Sequence, residues 1–414
     1  MALILERFPN EILTLIFGYF CEHCSDPLCE WQRPRSASFS GGQPTLARLS
    51  LTCRAFRQIA QPILFHHFPQ TAESSSNFRQ LQLFVRSLTD RPDLSTHVRI
   101  LGINLVGEER ETQGQFVMRM ALRNVPNVQL LDVNQNASFP LDHIFLGLDH
   151  IFPSNLEFAS LRCLRLARAP GGHIGGRMEE LSRVMMTSSR LESLELARCA
   201  SWGLPNSALA SLRRLDLFEP CFSAAEAEQL LAACSRLMMF SLCHPKTPRG
   251  DDGGPLTPAG IVEALRHMSG TMKTLMLSIA PFADGSAANI EALADFPVLE
   301  DLVVGSAFVQ GQRRAMSLIR SLPRSLKCLV VVCRATNGTA WLQNLLDRVQ
   351  ETEQLPSLRV VRLLRSPYLQ QWEEEQLREW QLDFRGAGVD FHWIIATHDV
   401  GPVLAGVLQR FFPH

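Results

Sequence analysis

The feature that most constrains this chain is a short motif, apolar-x-x-apolar-x-apolar, that recurs from about residue 97 onward. Its clearest copies are LRCLRL at Leu161, LESLEL at Leu191, LRRLDL at Leu212, LEDLVV at Leu299 and LKCLVV at Leu326. Weaker copies are VRILGI at Val98, VQLLDV at Val128, LMMFSL at Leu237, MKTLML at Met272 and LRVVRL at Leu358. Successive copies begin 21 to 35 residues apart, about the length of one strand plus one helix, and such a period marks a repeat array.

Alternation inside each copy gives the physical reason. In LRCLRL, Leu164 and Leu166 point to one face of a short strand and Cys163 and Arg165 to the other, so one face is expected in the core and one in water. Segments with helical spacing lie between the strands: Arg177 to Leu191, Ala224 to Leu237 and Pro258 to Met268. Ser223 is placed to cap the second, and Thr257 the third, with Pro258 in its first turn. One strand-helix unit cannot bury its own apolar face, whereas stacked neighbours make a continuous core with a parallel sheet along one side. The expected body is a curved α/β solenoid over residues 97–414 with the sheet on its concave side. Its terminal cap spans about 368–414, where Leu369, Trp372, Leu377, Trp380 and Phe384 share a helical face. Gly386 and Gly388 end that helix before a closing strand, VDFHWII.

This body resembles the leucine-rich-repeat family in degenerate form. The family's Asn or Cys eight residues after the first Leu is present only as Asn136 and Cys199, with Pro220, Pro245 and Ala307 in that place elsewhere.

A different rhythm precedes the repeats. In RFPNEILTLIFGYF, Ile12, Leu13, Ile16, Phe17 and Phe20 form an apolar stripe on a helix begun by Pro9. After a polar interruption, LARLSLTCRAFRQIAQPILFHHF repeats the helical pattern through Leu46, Leu49, Leu51, Cys53, Phe56, Ile59 and Ala60, and Pro62 is expected to end or kink it. Three helices of about 10 residues bury too little surface to offset their conformational entropy, so a partner is expected to complete them. The matches Pro9, Glu11, Ile12, Leu13 and Ile16, then Leu49, Leu51, Cys53, Arg54, Phe56 and Ile59, resemble an F-box, with a PILFHHF tail like that of fungal members. Phe8 replaces the usual leading Leu, and the stretch from Cys21 to Thr45 is longer than the usual first loop.

The resemblance implies an F-box module over residues 1–70 with an inserted mobile loop at 21–45, a connecting helical segment over 71–96, and the repeat body after it. It further implies a non-catalytic substrate adaptor of a cullin-RING ubiquitin ligase, bound to the Skp-type linker through Pro9, Ile12, Leu13, Ile16, Leu49, Leu51 and Phe56. The alternative is a leucine-rich-repeat-like scaffold whose N-terminal helices only cap the solenoid.

Composition narrows the partners. Lys and Arg total 40 against 41 Asp and Glu, so no net field draws the chain to nucleic acid or an anionic membrane. The run from Ile12 to Phe20 is interrupted by Thr14 and Gly18 and lacks a basic flank, which argues against a signal peptide and a membrane span. Eleven cysteines without a secretory signal favour reduced thiols in the cytoplasm or nucleus.

Rival chemistry is weak. CEHCSDPLC offers Cys21, His23, Cys24 and Cys29, but the second half of a zinc site is absent nearby in sequence, and no metal or cofactor is expected. The glycine-rich RLARAPGGHIGGRMEEL lacks a P-loop ending, and TPRGDDGGPLTP lacks the spacing of a calcium loop. No nucleophile elbow is present, and an enzyme is not expected. The fifth motif position reads Gly102, Asp132, Arg165, Glu195, Asp216, Ser241, Met276, Val303, Val330 and Arg362. Charged positions grading into apolar ones suit a protein or peptide, and Arg165, Glu195, Asp216, Phe218 and Met276 are the candidate substrate-binding residues.

Overall fold

The computed structural model describes residues 8–25, 42–68, 76–105, 116–117, 120–135, 158–168, 187–198, 209–220, 222–243, 257–278, 291–309, 311–333, 340–351, 354–365 and 372–395. Twelve strands follow one another laterally in chain order, giving a parallel sheet in a mixed α/β fold. The chain divides into two compact units: Met1–Glu195 with Gly203–Ala208 and Leu404–His414, and Leu196–Trp202 with Leu209–Val403.

The first unit opens with three longer helices, α1 (Asn10–Gly18), α2 (Gln43–Thr52) and α3 (Arg54–Leu64), and a single helical turn, Glu22–Ser25, between the first two. The Pro9 carbonyl accepts from the Ile12 and Leu13 amides, and Glu11 places a negative charge at the positive end of α1. Cys53 caps α3, its sulfur accepting from the Phe56 amide at 3.4 Å. Pro62 lies inside α3, which runs on to Leu64, so of the two expected effects, an end or a kink, the helix does not end at the proline itself. It falls in the last turn, so the one amide it removes costs the helix little before the chain leaves at Phe65. Leu13, Phe17 and Cys21 from the first segment pack with Leu46, Phe56, Ala60 and Ile63 in a small core. Gly42 approaches the Phe20 carbonyl so closely that any added Cβ would collide with backbone. The two ends of the expected insertion therefore meet, and its residues 26–41 lie outside the described ones.

Strand β1 (His67–Phe68) follows α3 and pairs with β2 (Ile100–Leu105), while α4 (Ser76–Asp90) stacks Phe84 on Phe68 at 4.2 Å. Strands β3 (Leu130–Gln135), β4 (Cys163–Arg168) and β5 (Ser193–Ala197) continue the order. The second unit carries β6 (Arg214–Phe218), α5 (Ala224–Ala233), β7 (Met239–Cys243), α6 (Pro258–Leu265), β8 (Thr274–Ser278), β9 (Asp301–Gly305) and α7 (Gln312–Ser321). It ends with β10 (Cys328–Cys333), α8 (Ala340–Gln350), β11 (Val360–Arg365), α9 (Trp372–Gly386) and β12 (Asp390–Ile395).

Each of the ten motif copies becomes a strand beginning at its third residue, from Ile100 to Val360. The register also holds. Gly102 opposes Asp132 and Asp132 opposes Arg165 in the first unit. In the second, Asp216, Ser241, Met276, Val303, Val330 and Arg362 oppose one another in succession, and Arg362 opposes His392. Ser223 closes a full capping box on α5 with Glu226, and the Thr257 hydroxyl accepts from the Gly260 amide at the start of α6, as their positions predict. At the end of α9, Gly388 turns left-handed (φ 78°) and the Val389 amide donates to the Phe384 carbonyl at 2.9 Å, a Schellman closure. Phe384 then stacks on Phe391 of β12 at 5.4 Å.

Two turns repeat one device in the second unit. Arg198 after β5 and Glu219 after β6 both adopt positive φ, 61° and 45°, and their amides donate to the Phe218 and Cys243 carbonyls of the next strands at 2.7 Å.

The expectation of one wet sheet face holds only in part: Gly102, Asp132, Glu195, Asp216 and Arg362 are half-buried and His392 is exposed, while other positions of that face are enclosed. Cys163 and Arg165 are buried, as are Met276, Val303 and Val330 on the same face as the fifth-position ladder. A parallel sheet is ordinarily covered on both faces, and runs such as CLVVVC in β10, apolar at every position, are the sequence form of that burial. The Asn136, Cys199 and Pro245 positions, the segment 177–186, the Gly-rich stretch from Pro170 and the TPRGDDGGPLTP stretch before Thr257 lie outside the described residues. Among the described residues, no helix is long and apolar enough to cross a membrane.

Candidate functional site

The apolar stripe expected on α1 divides into two. Leu13 and Phe17 turn inward, whereas Ile12, Leu15, Ile16 and Tyr19, spaced at helical intervals, turn outward and are 40%, 67%, 41% and 81% exposed. Phe8, Phe20 and Leu51 are exposed as well, so seven of the ten large exposed hydrophobic side chains among the described residues belong to this module. Scattered single exposures are normal, but a helix apolar on both faces with only one covered marks an interaction surface. Leu51, at the end of α2, rims a groove of about 700 Å³ lined by Arg54, Arg57, Gln58 and Asp93.

Of the residues expected to contact a linker, Pro9, Ile12, Ile16 and Leu51 are exposed and Leu49 is half-buried. Leu13 and Phe56 are corrections: both are buried in the module's own core, where Phe56 meets Phe17 edge to face. Their side chains point along the inward stripe of their helices, which sequence spacing did not separate from the outward one.

The candidate substrate residues divide similarly. Arg165 is 2% exposed and pairs with Glu195, Nε to carboxylate, at 3.3 Å. Met276 is buried and accepts from the Ser241 hydroxyl at 3.4 Å, so both are interior residues rather than contact residues. Glu195, Asp216 and Phe218 remain partly exposed, with Asp216 held by Arg214 at 2.5 Å.

A second cluster lies where α1 ends. Cys21, His23 and Cys24 converge on His66, the residue before β1. The Cys24 sulfur is 3.2 Å from His66 Nδ1 and 3.8 Å from His23 Nδ1, and the Cys21 sulfur is 3.8 Å from His66 Nδ1. The hydrogen bond with Cys24, then that with His66, outweighs burial and draws the Cys21 thiol down to about 4. Burial, followed by the charge of His66, lowers His23 below its usual value. Sequence reading missed His66 because it stands 42 residues beyond Cys24. The only sequence signal was its place in PILFHHF.

Neither a protein-family model nor a curated protein matches this chain.

Proposed function

We propose that this chain is a non-catalytic adaptor of a cullin-RING ubiquitin ligase, in the cytoplasm or nucleus. Its N-terminal helices act as an F-box docked on the Skp-type linker, and its repeat body, a leucine-rich-repeat-like solenoid, recruits a protein for ubiquitination. The observation that carries the reading is the uncovered outer stripe of α1, with Ile12, Leu15, Ile16 and Tyr19 in solvent. A folded module leaves such a stripe bare when a partner covers it in use. The linker contacts are then Pro9, Ile12, Ile16 and Leu51, with Leu49 at the margin. On the body, Glu195, Asp216 and Phe218 are the accessible candidates for the target.

The capped-scaffold reading is favoured by one specific feature, the pairing of β1 with β2, which joins the helical module to the sheet. Sealing that strand accounts for β1 but not for the outer stripe of α1.

The test is co-expression with a Skp-type linker subunit, using wild type and an Ile12→Asp, Ile16→Asp double variant. Association in the wild type, lost in the variant while circular dichroism is unchanged, is the expected result. Absence of association in the wild type, with the module resisting proteolysis together with the repeats, would replace this reading with the capped scaffold.

A further inference from the structure

The cluster at the end of α1 carries an inference independent of the adaptor reading. Two sulfurs and two imidazole nitrogens, from Cys21, Cys24, His23 and His66, lie within 4.8 Å of one another. A tetrahedral Zn²⁺ with Zn–S of about 2.3 Å and Zn–N of about 2.0 Å sets its ligand atoms roughly 3.3 to 3.8 Å apart. The observed separations of 3.2, 3.8 and 3.8 Å lie within about 0.1 Å of that range, so small shifts would bring the four atoms onto one ion.

Hydrogen bonding alone accounts for the convergence less well. His66 Nδ1 faces both sulfurs, yet an imidazole nitrogen offers either one lone pair or one proton. The Cys24 sulfur, in turn, faces Nδ1 of both histidines. A central cation satisfies all of these contacts at once. Neighbouring rings pack around the two imidazoles: His23 meets His66 edge to face with centroids 5.2 Å apart, and His97 lies nearly parallel to His66 with centroids 6.2 Å apart.

We propose that Cys21, His23, Cys24 and His66 form a four-coordinate structural zinc site. The donor set, two thiolates and two imidazoles, is that of structural zinc, and four protein ligands leave no open position for catalysis. The sulfurs bind as thiolates, any thiol proton still held passing to solvent, and two Zn–S and two Zn–N bonds form with no change of oxidation state. The ion clamps the segment that follows α1 to the residues between α3 and β1, across a separation of 42 residues between Cys24 and His66.

The experiment uses the full chain purified in reductant without chelator. Its zinc content is measured by plasma mass spectrometry, and the stripped protein is titrated with Co²⁺. About one zinc per chain is expected, together with the intense visible absorption of tetrahedral, thiolate-bound Co²⁺. Losing an outer-shell support costs metal sites about 10- to 100-fold in affinity, so His66→Asn and Cys24→Ser are each expected to weaken binding by more than that. Cys53→Ser, which keeps a capping side chain in the same module, leaves binding unchanged. The Co²⁺ spectrum of the wild type reports the sulfur ligands even where a variant fails to fold. No zinc uptake, a six-coordinate Co²⁺ spectrum, or binding unaltered in His66→Asn overturns the site, as does a Cys21–Cys24 disulfide in the reductant-purified protein.

Discussion

Phe17 and Phe56 meet edge to face, with centroids 5.2 Å apart and ring planes at 81°, and so lock α1 onto α3. Phe56→Ala is therefore expected to destabilise the helical module by about 3 to 5 kcal/mol, because the small core has little material with which to refill the cavity. Ile12→Ala, on the outward stripe, is expected to change stability by less than about 0.5 kcal/mol. Urea unfolding followed by proteolysis of the N-terminal segment checks both. Equal losses would mean that the two stripes are not distinguished as described.

The Arg165–Glu195 pair gives a second prediction. Arg165 is enclosed, and its register neighbour on β3 is another acid, Asp132. Removing the Glu195 carboxylate by Glu195→Ala is expected to cost about 1 to 3 kcal/mol, since Arg165 is enclosed while Glu195 is half-buried and Asp132 remains the arginine's register neighbour. Arg165→Met combined with Glu195→Leu is expected to recover most of that loss. A thermal-unfolding double-mutant cycle reads the difference.

A third prediction concerns alkaline stability. Burial pushes the thiols of Cys234 and Cys328 up to about 12 from the usual 9.0, Arg362 partly opposing it at Cys328. In the unfolded chain both ionise near the ordinary value, while in the fold they stay protonated. The stability they contribute is thus complete below pH 9 and lost as pH rises from there towards 12. The urea midpoint is expected to fall between about pH 8 and about pH 10.5, and Cys234→Ala with Cys328→Ala to flatten that slope. Neither thiol should react with iodoacetamide until the chain unfolds.

A fourth prediction tests the capping box on α5. Ser223→Ala removes the hydroxyl that accepts from the Glu226 amide and is expected to cost about 1 kcal/mol. Ser223→Asp, which keeps an acceptor, is expected to cost less. Faster amide exchange in the first turn of α5 is the local readout.

The repeat body was legible because its information is local. A first residue such as Val98 or Leu326, a fourth such as Leu101 or Leu329 and a sixth such as Ile103 or Val331 are all buried, and the strands start where the motif places them. The closing strand and both helix caps followed from equally local signals. The fate of the second sheet face was not legible: alternation shows that Arg165 and Leu166 point apart, not that both directions are covered. Leu13 and Phe56 were misassigned for a related reason, since a helix apolar on two sides gives one broad stripe and spacing alone does not show which side the module fills. The two-residue strand β1 carries too little pattern to be read, and His66 joins the cysteines only through the folding of α2 and α3.

In-line pairing fixes how the second unit answers a load. Each strand from β6 to β12 bonds only to its neighbours in sequence order, and β12 is the last in the row. Among the described strands, the β11–β12 ladder is the last interface of the row, and its opening leaves the β10–β11 and earlier ladders paired. Opening from that edge would then proceed as a staircase of small steps, one strand and its helix at a time.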